Sequence, residues 1–252
     1  MLNIVIPMAG AGSRFVKAGY VVPKPLIKIH GKSMIQLVVN NLRPNQPHRF
    51  IFICQAEHVK KYNLIQKLTQ WAPSSVVVEI ENQTEGAACT VLAAKEFIDD
   101  LNPLMIANSD QYVDICIDSY LNYLEINQLD GLIMTMKATD PKWSFVRLNE
   151  ENLVSEVIEK KVISNEATVG IYNYARGCDF VEAAEKMIKD NDRVNNEFYV
   201  APVYSRLIQQ GRKIGIYNIG SEAHGMYGLG IPQDLDLFLS LPISKKVTGM
   251  IT

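Results

Sequence analysis

Residues 2–15 read LNIVIPMAGAGSRF, and residues 23–26 read PKPL. Leu2 to Pro7 is a short apolar, β-branched run that ends in small residues, the pattern of a buried parallel strand feeding a turn. That reading makes Met8 to Lys24 a strand-exit loop. The glycines let backbone N–H groups come close to a ligand and point at it in succession, so the loop can cradle phosphate oxygens. Arg14 adds a planar, permanently charged fork that can hold two oxygens at once. Lys24 stands between two prolines that restrict its backbone on both sides, which makes it a pre-positioned point charge.

Two other glycine loops are excluded by their own patterns. A Walker A loop needs G-x-x-x-x-G-K-[ST], which the stretch lacks, and a dinucleotide fingerprint needs glycine where Phe15 stands. Working outward, strand-like runs recur at Arg49–Cys54, Val76–Ile80 and Leu104–Ala107. Helical patterns fall between and around them at Ser33–Asn41, Glu57–Trp71 and Ala87–Asp99. This alternation predicts an α/β fold with a doubly wound, mostly parallel central sheet. After Asn108 the alternation loosens. Gly131–Lys137, Phe145–Leu148, Val154–Ile158 and Thr168–Tyr174 read as strands around one short helix near Asp118–Ile126, which predicts a smaller region of mixed pairing. Helices return at Asp179–Asp190 and Tyr199–Gln210, followed by a strand at Lys213–Asn218 and a helix from Pro232 to Leu241.

Composition narrows the class. With 48% hydrophobic and 21% charged residues in 252, the chain has the make-up of a globular domain that buries a sizeable core. The expectation is one domain over 1–252, with a first half at 1–115 and a second half at 116–252. A balance of 25 basic against 27 acidic residues leaves no global field for a nucleic acid or an anionic membrane, so any polyanion is held by a local cluster. Cys54, Cys89, Cys116 and Cys178 lack metal-ligand spacing and read as reduced thiols. No basic region precedes the first apolar run and no stretch is long enough to span a bilayer, so the protein is expected in the cytoplasm. The histidines show no paired spacing and no G-x-S-x-G serine to activate.

Together, G-x-G-[ST]-R and P-K-P-L resemble the signature of the nucleotidylyltransferase superfamily, which includes sugar-1-phosphate nucleotidylyltransferases and phosphocholine-type cytidylyltransferases. The resemblance implies a Rossmann-like, GT-A-like fold. It also implies that the loop from Met8 and Ala9 through Gly10, Ala11, Gly12 and Ser13 wraps the triphosphate, that Arg14 steadies the leaving pyrophosphate, and that Lys24 meets the α-phosphate. Gln83-Thr84-Glu85-Gly86 resembles the family segment that reads the base, although a glycine opening a helix is also ordinary packing. Asp110, just after the run Leu104–Ala107, resembles the family's Mg2+ ligand; a helix N-cap is the alternative. Lys160 in Glu159-Lys160 resembles the lysine that meets the acceptor phosphate. Gly170 lies in a strand resembling the one that lines the acceptor pocket, and Glu197 in a segment that touches acceptor hydroxyls.

One position departs from this pattern. Sugar-phosphate relatives carry a second metal aspartate where this chain has Gly228, so a carboxylate from elsewhere, such as Glu197 or Asp234, would have to serve, or metal use differs.

An acceptor phosphate attacking an α-phosphorus needs charge neutralisation and in-line geometry more than a general base. The resemblance implies transfer of a nucleotidyl group from an NTP, with CTP or UTP preferred on the resemblance alone, to a phosphorylated small molecule, and capsule or cell-surface polysaccharide synthesis is the expected setting. A GT-A-type glycosyltransferase and a non-catalytic nucleotide-sensing module are the competing readings. The short stretch after Pro232 leaves no room for a β-helix domain, so a single activity is expected, and oligomeric state stays open.

Overall fold

The computed structural model of the chain describes residues 1–249. Its first apolar run forms strand β1 (Leu2–Pro7). Successive side chains of a strand point to opposite faces, and here Leu2, Ile4 and Ile6 join one core while Val5 joins another. An apolar strand covered on both faces belongs at the centre of an α/β sheet. A two-stranded ribbon follows, β2 (Lys28–Ile29) and β3 (Lys32–Ser33), turning through His30 and Gly31. The first half then adds β4 (His48–Gln55), β5 (Val76–Ile80), β6 (Leu104–Ala107) and β7 (Gln111–Val113). The second half adds β8 (Gly131–Lys137), β9 (Ser144–Leu148), β10 (Val154–Glu159), β11 (Glu166–Tyr174), β12 (Ile214–Glu222) and β13 (Gly225–Gly228).

Apart from the ribbon, the strands form one 11-stranded sheet ordered β5-β4-β1-β6-β11-β8-β12-β13-β7, with β10 attached through β9 to β11. The block β5-β4-β1-β6 is parallel throughout. β11 runs antiparallel to β6 and β8, which begins the mixed region. Between β1 and the ribbon runs a single helical turn, α1 (Ser13–Lys17). Helices α2 (Met34–Asn41), α3 (Ala56–Tyr62) and α4 (Leu64–Trp71) cover one face. Helices α5 (Ala87–Leu92) and α6 (Lys95–Ile98) cover the other. α7 (Ile117–Ile126) returns to the first face, and α8 (Gly177–Lys189) and α9 (Tyr204–Gln209) to the second. The last two, α10 (Pro232–Ser240) and α11 (Pro242–Val247), pack on a third, smaller core beside the signature loop.

The doubly wound α/β sheet with a mixed second region is as expected, and the differences lie in breaks and short pieces. The helix expected over Glu57–Trp71 is two helices, because Asn63 takes φ 50° and ends the first. The one expected over Ala87–Asp99 breaks where Ala93 and Ala94 bond back three residues to Thr90 and Val91. Pro202 confines the start of the expected Tyr199–Gln210 helix to a 3₁₀ turn at Ala201–Val203. Ser13–Lys17, read as loop, closes a helical turn on Gly12.

β7 is too short to hold itself and is secured from both sides. It pairs with β13 on one edge, Gly228 opposite Gln111. On the other, the side chain of Asn41, the last residue of α2, acts as a strand: its Nδ2 donates to the Val113 carbonyl at 2.8 Å and its Oδ1 accepts from the Val113 N–H at 2.8 Å. Asn41→Ala removes both partners of one strand residue. It should lower stability by about 2 kcal/mol, read as a fall in the urea midpoint with the slope unchanged. An unchanged midpoint would show that β7 does not depend on this amide.

Candidate functional site

The signature loop begins as an extension of the sheet. Met8 N–H donates to the Ile53 carbonyl at 2.9 Å, and Gln55 Nε2 donates to the Ala9 carbonyl at 2.8 Å. Gly12 then takes φ 59°, the left-handed region that favours glycine, and its carbonyl accepts from Phe15 and Val16 to start α1. Phe15 is buried with Leu235 and Phe238 of α10, which anchors the turn. Its neighbours Ser13 and Arg14 line the cleft. A side chain at Gly12 would sit 3.4 Å from Lys24 Cβ, so loop and lysine are in contact. Lys24 opens a 3₁₀ turn through Leu26, closed by Leu26 N–H to the Pro23 carbonyl at 2.8 Å, with Pro25 inside it.

Lys24 Nζ reaches Asp110 Oδ2 at 2.7 Å, and each side chain is 21% exposed. The pair is thus screened enough by solvent to come apart, yet shielded enough to be aimed. Asp110 sits on the turn from β6 into β7 and leads into a strand, so the N-cap alternative falls. A Cβ at Gly230 would lie 2.7 Å from Asp110 Oδ2, so glycine there leaves the space that the carboxylate uses. The same holds one step away. A Cβ at Gly228 would lie 3.1 Å from Asp234 Oδ2, and that carboxylate, from the first turn of α10, occupies the place of a 228 side chain. Burial raises the Asp234 pKa, against the pull of Lys142. Arg14, Lys24, Lys142 and Lys160 face Asp110 and Asp234 across one cleft of about 480 Å³. Among the described residues no group of three or more His, Cys, Asp or Glu side chains is placed to hold a metal. Two carboxylates that leave most positions to substrate phosphates are nevertheless the donor set that Mg2+ commonly takes.

The far end of the cleft belongs to the second half. Lys160, at φ 55°, donates its backbone N–H to the Trp143 carbonyl at 3.1 Å, and its ammonium lies over the Tyr199 ring at 4.5 Å. Glu159 turns inward and accepts from Ser144 Oγ. Burial raises its pKa, partly offset by that hydrogen bond and by Lys160. Lys142 and Trp143, which no motif singled out, line the cleft beside Lys160, as do Asn108 and Gln111.

A second recess of about 360 Å³ adjoins the first and shares Gly12, Ser13 and Asn108 with it. Ala9, Gly10, Ala11, Gln83, Thr84, Gly86 and Thr90 line it. Gly86 takes φ 134°, and a Cβ there would lie 2.4 Å from the Phe198 backbone nitrogen and oxygen. Phe198 N–H donates to the Glu85 carbonyl at 2.8 Å, and Ala88 N–H to the Phe198 carbonyl at 2.9 Å. Four expected residues are placed differently. Met8 is buried in the core beneath the loop. The Glu85 carboxylate turns away to Arg193 at 2.6 Å. Gly170, at φ 82°, lines neither cavity and instead leaves room for the Asn108 and Gln111 amides. Glu197, expected at acceptor hydroxyls, lines the recess of Gly86 and not the cleft of Lys160, because its segment is laced to Glu85 and Ala88.

Comparison with known proteins agrees with this arrangement. The model of a family described as nucleotidyl transferase matches residues 4–215. The bifunctional protein GlmU of Clostridium tetani is 27% identical over 232 residues, which is 88% of this chain and 49% of that protein. GlmU of Lactobacillus gasseri is 24% identical over 86% of this chain and 46% of its own length, so the chain spans about half the length of the curated relatives it matches. A nucleoside-diphosphate-sugar pyrophosphorylase from Vibrio cholerae RC9 superposes with a TM-score of 0.80 at 27% identity, covering 94% of this chain and 100% of the other. An inositol-1-phosphate CTP transferase from T. maritima has a TM-score of 0.76 over 99% of this chain and 97% of its own, a likeness of fold alone at 15% identity.

Glu159 gives a prediction with a definite sign. Its pKa is raised in the folded state above the ordinary value of 4.5, so folding favours the protonated form. Both states are protonated below 4.5, and the penalty of the buried charge is felt as pH rises through the raised pKa. Glu159→Gln keeps an acceptor for Ser144 and removes that charge. Its melting temperature should exceed that of the parent at pH 8, and the gain should vanish at pH 4. A variant less stable at pH 8 would show that the carboxylate is better paired than its burial implies.

Proposed function

The chain belongs to the nucleotidyl transferase family, and from that premise we propose that it transfers a nucleotidyl group from CTP or UTP to a sugar-1-phosphate or polyol phosphate, releasing pyrophosphate. The observation that carries this reading is the adjacency of two cavities. A glycine-lined recess shares Gly12, Ser13 and Asn108 with a cleft bearing Arg14, Lys24, Lys142 and Lys160. A nucleotide laid along the recess brings its phosphates into the cleft, where a second anion can meet them.

In the reaction a phosphate oxygen of the acceptor forms a bond to the α-phosphorus. The bond from that phosphorus to the bridging oxygen breaks, and pyrophosphate departs with the electron pair. The dianion is already nucleophilic, so no side chain needs to take a proton. The backbone of Gly10 to Ser13 lies along the triphosphate, Arg14 steadies the leaving pyrophosphate, Lys24 neutralises the α-phosphate, and Lys160 meets the acceptor phosphate. Asp110, with Asp234 nearby, would hold Mg2+ against the phosphates. When bound, the ion neutralises charge that builds on the phosphate oxygens. Lys24, paired with Asp110 at 2.7 Å, would serve the α-phosphate once that carboxylate had another partner. The likeness to a nucleoside-diphosphate-sugar pyrophosphorylase supports a sugar-phosphate acceptor. A nucleotide-linked sugar or polyol is the activated form that polymerising transferases consume, and this supports supply of cell-surface polysaccharide precursors in the cytoplasm as the setting of the proposed reaction. Among the described residues no helix is long and apolar enough to cross a membrane.

The test is pyrophosphate release from the four NTPs paired with phosphorylated sugars, polyols and amino alcohols in the presence of Mg2+. Release is expected with CTP or UTP and a sugar or polyol phosphate, and release with no pair would contradict the proposal. Lys24→Ala should keep its fold by circular dichroism while kcat falls by roughly 100-fold or more. Near-normal turnover would remove Lys24 from the chemistry.

A further inference from the structure

Of the three lysines that line the cleft, two are already paired with carboxylates. Lys24 is held by Asp110 at 2.7 Å and Lys142 by Glu222 at 2.9 Å. The third, Lys160, is in no salt bridge among the described residues. Its Nζ donates to the Tyr199 hydroxyl at 2.5 Å and lies 4.5 Å from the centre of that ring. The neighbouring Glu159 carboxylate turns inward to Ser144 instead. A carboxylate partner aims an ammonium but cancels its charge, whereas a neutral hydroxyl and a ring face aim it and leave the charge available to an anion. Burial, and then the Glu197 carboxylate beside it, raise the pKa of the Tyr199 hydroxyl, so that group stays neutral.

Tyr199 is itself fixed from both sides. Phe198 before it and Val200 after it are buried in the core. The Phe198 backbone is bonded to Glu85 and Ala88, and the Arg193 guanidinium, 4.4 Å from the Phe198 ring, pairs with the Glu85 carboxylate at 2.6 Å. Just upstream, Val194 and Glu197 pair across a two-residue turn in which Asn195 and Asn196 both take left-handed φ, 50° and 62°. The Lys160 backbone is held as well, at φ 55° with its N–H bonded to the Trp143 carbonyl. Tyr199 lines neither cavity, so its effect on a substrate in the cleft passes through the lysine.

We propose that Tyr199 is a positioning residue for the transfer reaction, holding the Lys160 ammonium ready for the acceptor phosphate without neutralising it. This rests on the nucleotidyl-transfer reading above and on the place of Lys160 in it. A long side chain loses rotamer freedom when it meets an anion, and one already held loses less. An ammonium carries three donors, so the bond to Tyr199 persists while the other two reach phosphate oxygens.

The experiment is a double-mutant cycle in pyrophosphate release, using the parent, Tyr199→Phe, Lys160→Ala and the double variant with Mg2+ and saturating CTP or UTP. The acceptor is whichever of glucose 1-phosphate, sorbitol 6-phosphate and phosphocholine the parent turns over best. Phenylalanine keeps the ring and removes the hydroxyl. In Tyr199→Phe, kcat/KM for the acceptor should fall roughly tenfold, the loss of one hydrogen bond to a charged group, while KM for the nucleotide stays within about twofold. In the Lys160→Ala background the same change should alter kcat/KM for the acceptor by less than about twofold, because the group it acts through is gone. Radiolabelled acceptor keeps kcat/KM measurable in a weak variant. A fall of equal size in both backgrounds, no fall in Tyr199→Phe, or a nucleotide KM that moves with it overturns the inference and leaves nucleotidyl transfer standing. A parent that releases no pyrophosphate with any of the three acceptors overturns the transfer reading, and this inference with it.

Discussion

The ion pair between Lys24 and Asp110 joins the two segments on which the site depends. One is the stretch from β1 through the glycine turn to Pro25, and the other is the turn between β6 and β7. These segments are far apart in sequence and adjacent in space because β1 and β6 are parallel neighbours whose ends open on the same edge of the sheet. Neither charge is buried deeply enough to be locked in the pair, and in the proposed reaction each would find a stronger partner in a nucleotide carrying a divalent ion. The pair would then hold both groups in position before substrate arrives, lowering the ordering needed when phosphates enter.

Around that pair the chain uses glycine as space. At Gly230 the absent side chain admits the Asp110 carboxylate, at Gly228 it admits Asp234, and at Gly170 it admits two amides. A glycine at 228 therefore does not leave the second carboxylate position empty. The group comes from the first turn of α10, held by Leu235 and Phe238 in the same small core as Phe15. The turn that aims Arg14 and the helix that aims Asp234 thus share one set of packing contacts, so the two ends of the described chain meet beneath the cleft.

Strands built on an apolar run were legible in the sequence. Val76–Ile80, Leu104–Ala107 and Gly131–Lys137 are strands with the expected bounds; the last two are almost wholly buried, and Val76–Ile80, at the sheet edge, is half-buried. β7 and β13 carry no such run, and their pairing is a tertiary event secured by Asn41 and by each other. The phosphate side of the site was legible for a different reason. Glycine turns and a lysine between prolines are local devices, and local chemistry survives in sequence. Lys142 and Trp143 belong to no motif, and only the tertiary fold brings the β8–β9 connection to the cleft that Asp110 and Gln111 also line. The Glu85 carboxylate was drawn away by Arg193, a residue more than a hundred positions downstream that no local reading could supply.

In the proposed reaction attack falls at the α-phosphorus and the two outer phosphates depart as one unit. With CTP or UTP carrying radioactive phosphorus at the α position in one reaction and at the γ position in another, products are separated after a single turnover. The α label should appear in the nucleotide-linked product and the γ label in pyrophosphate. Label from the γ position in inorganic phosphate or in the acceptor would contradict that reaction.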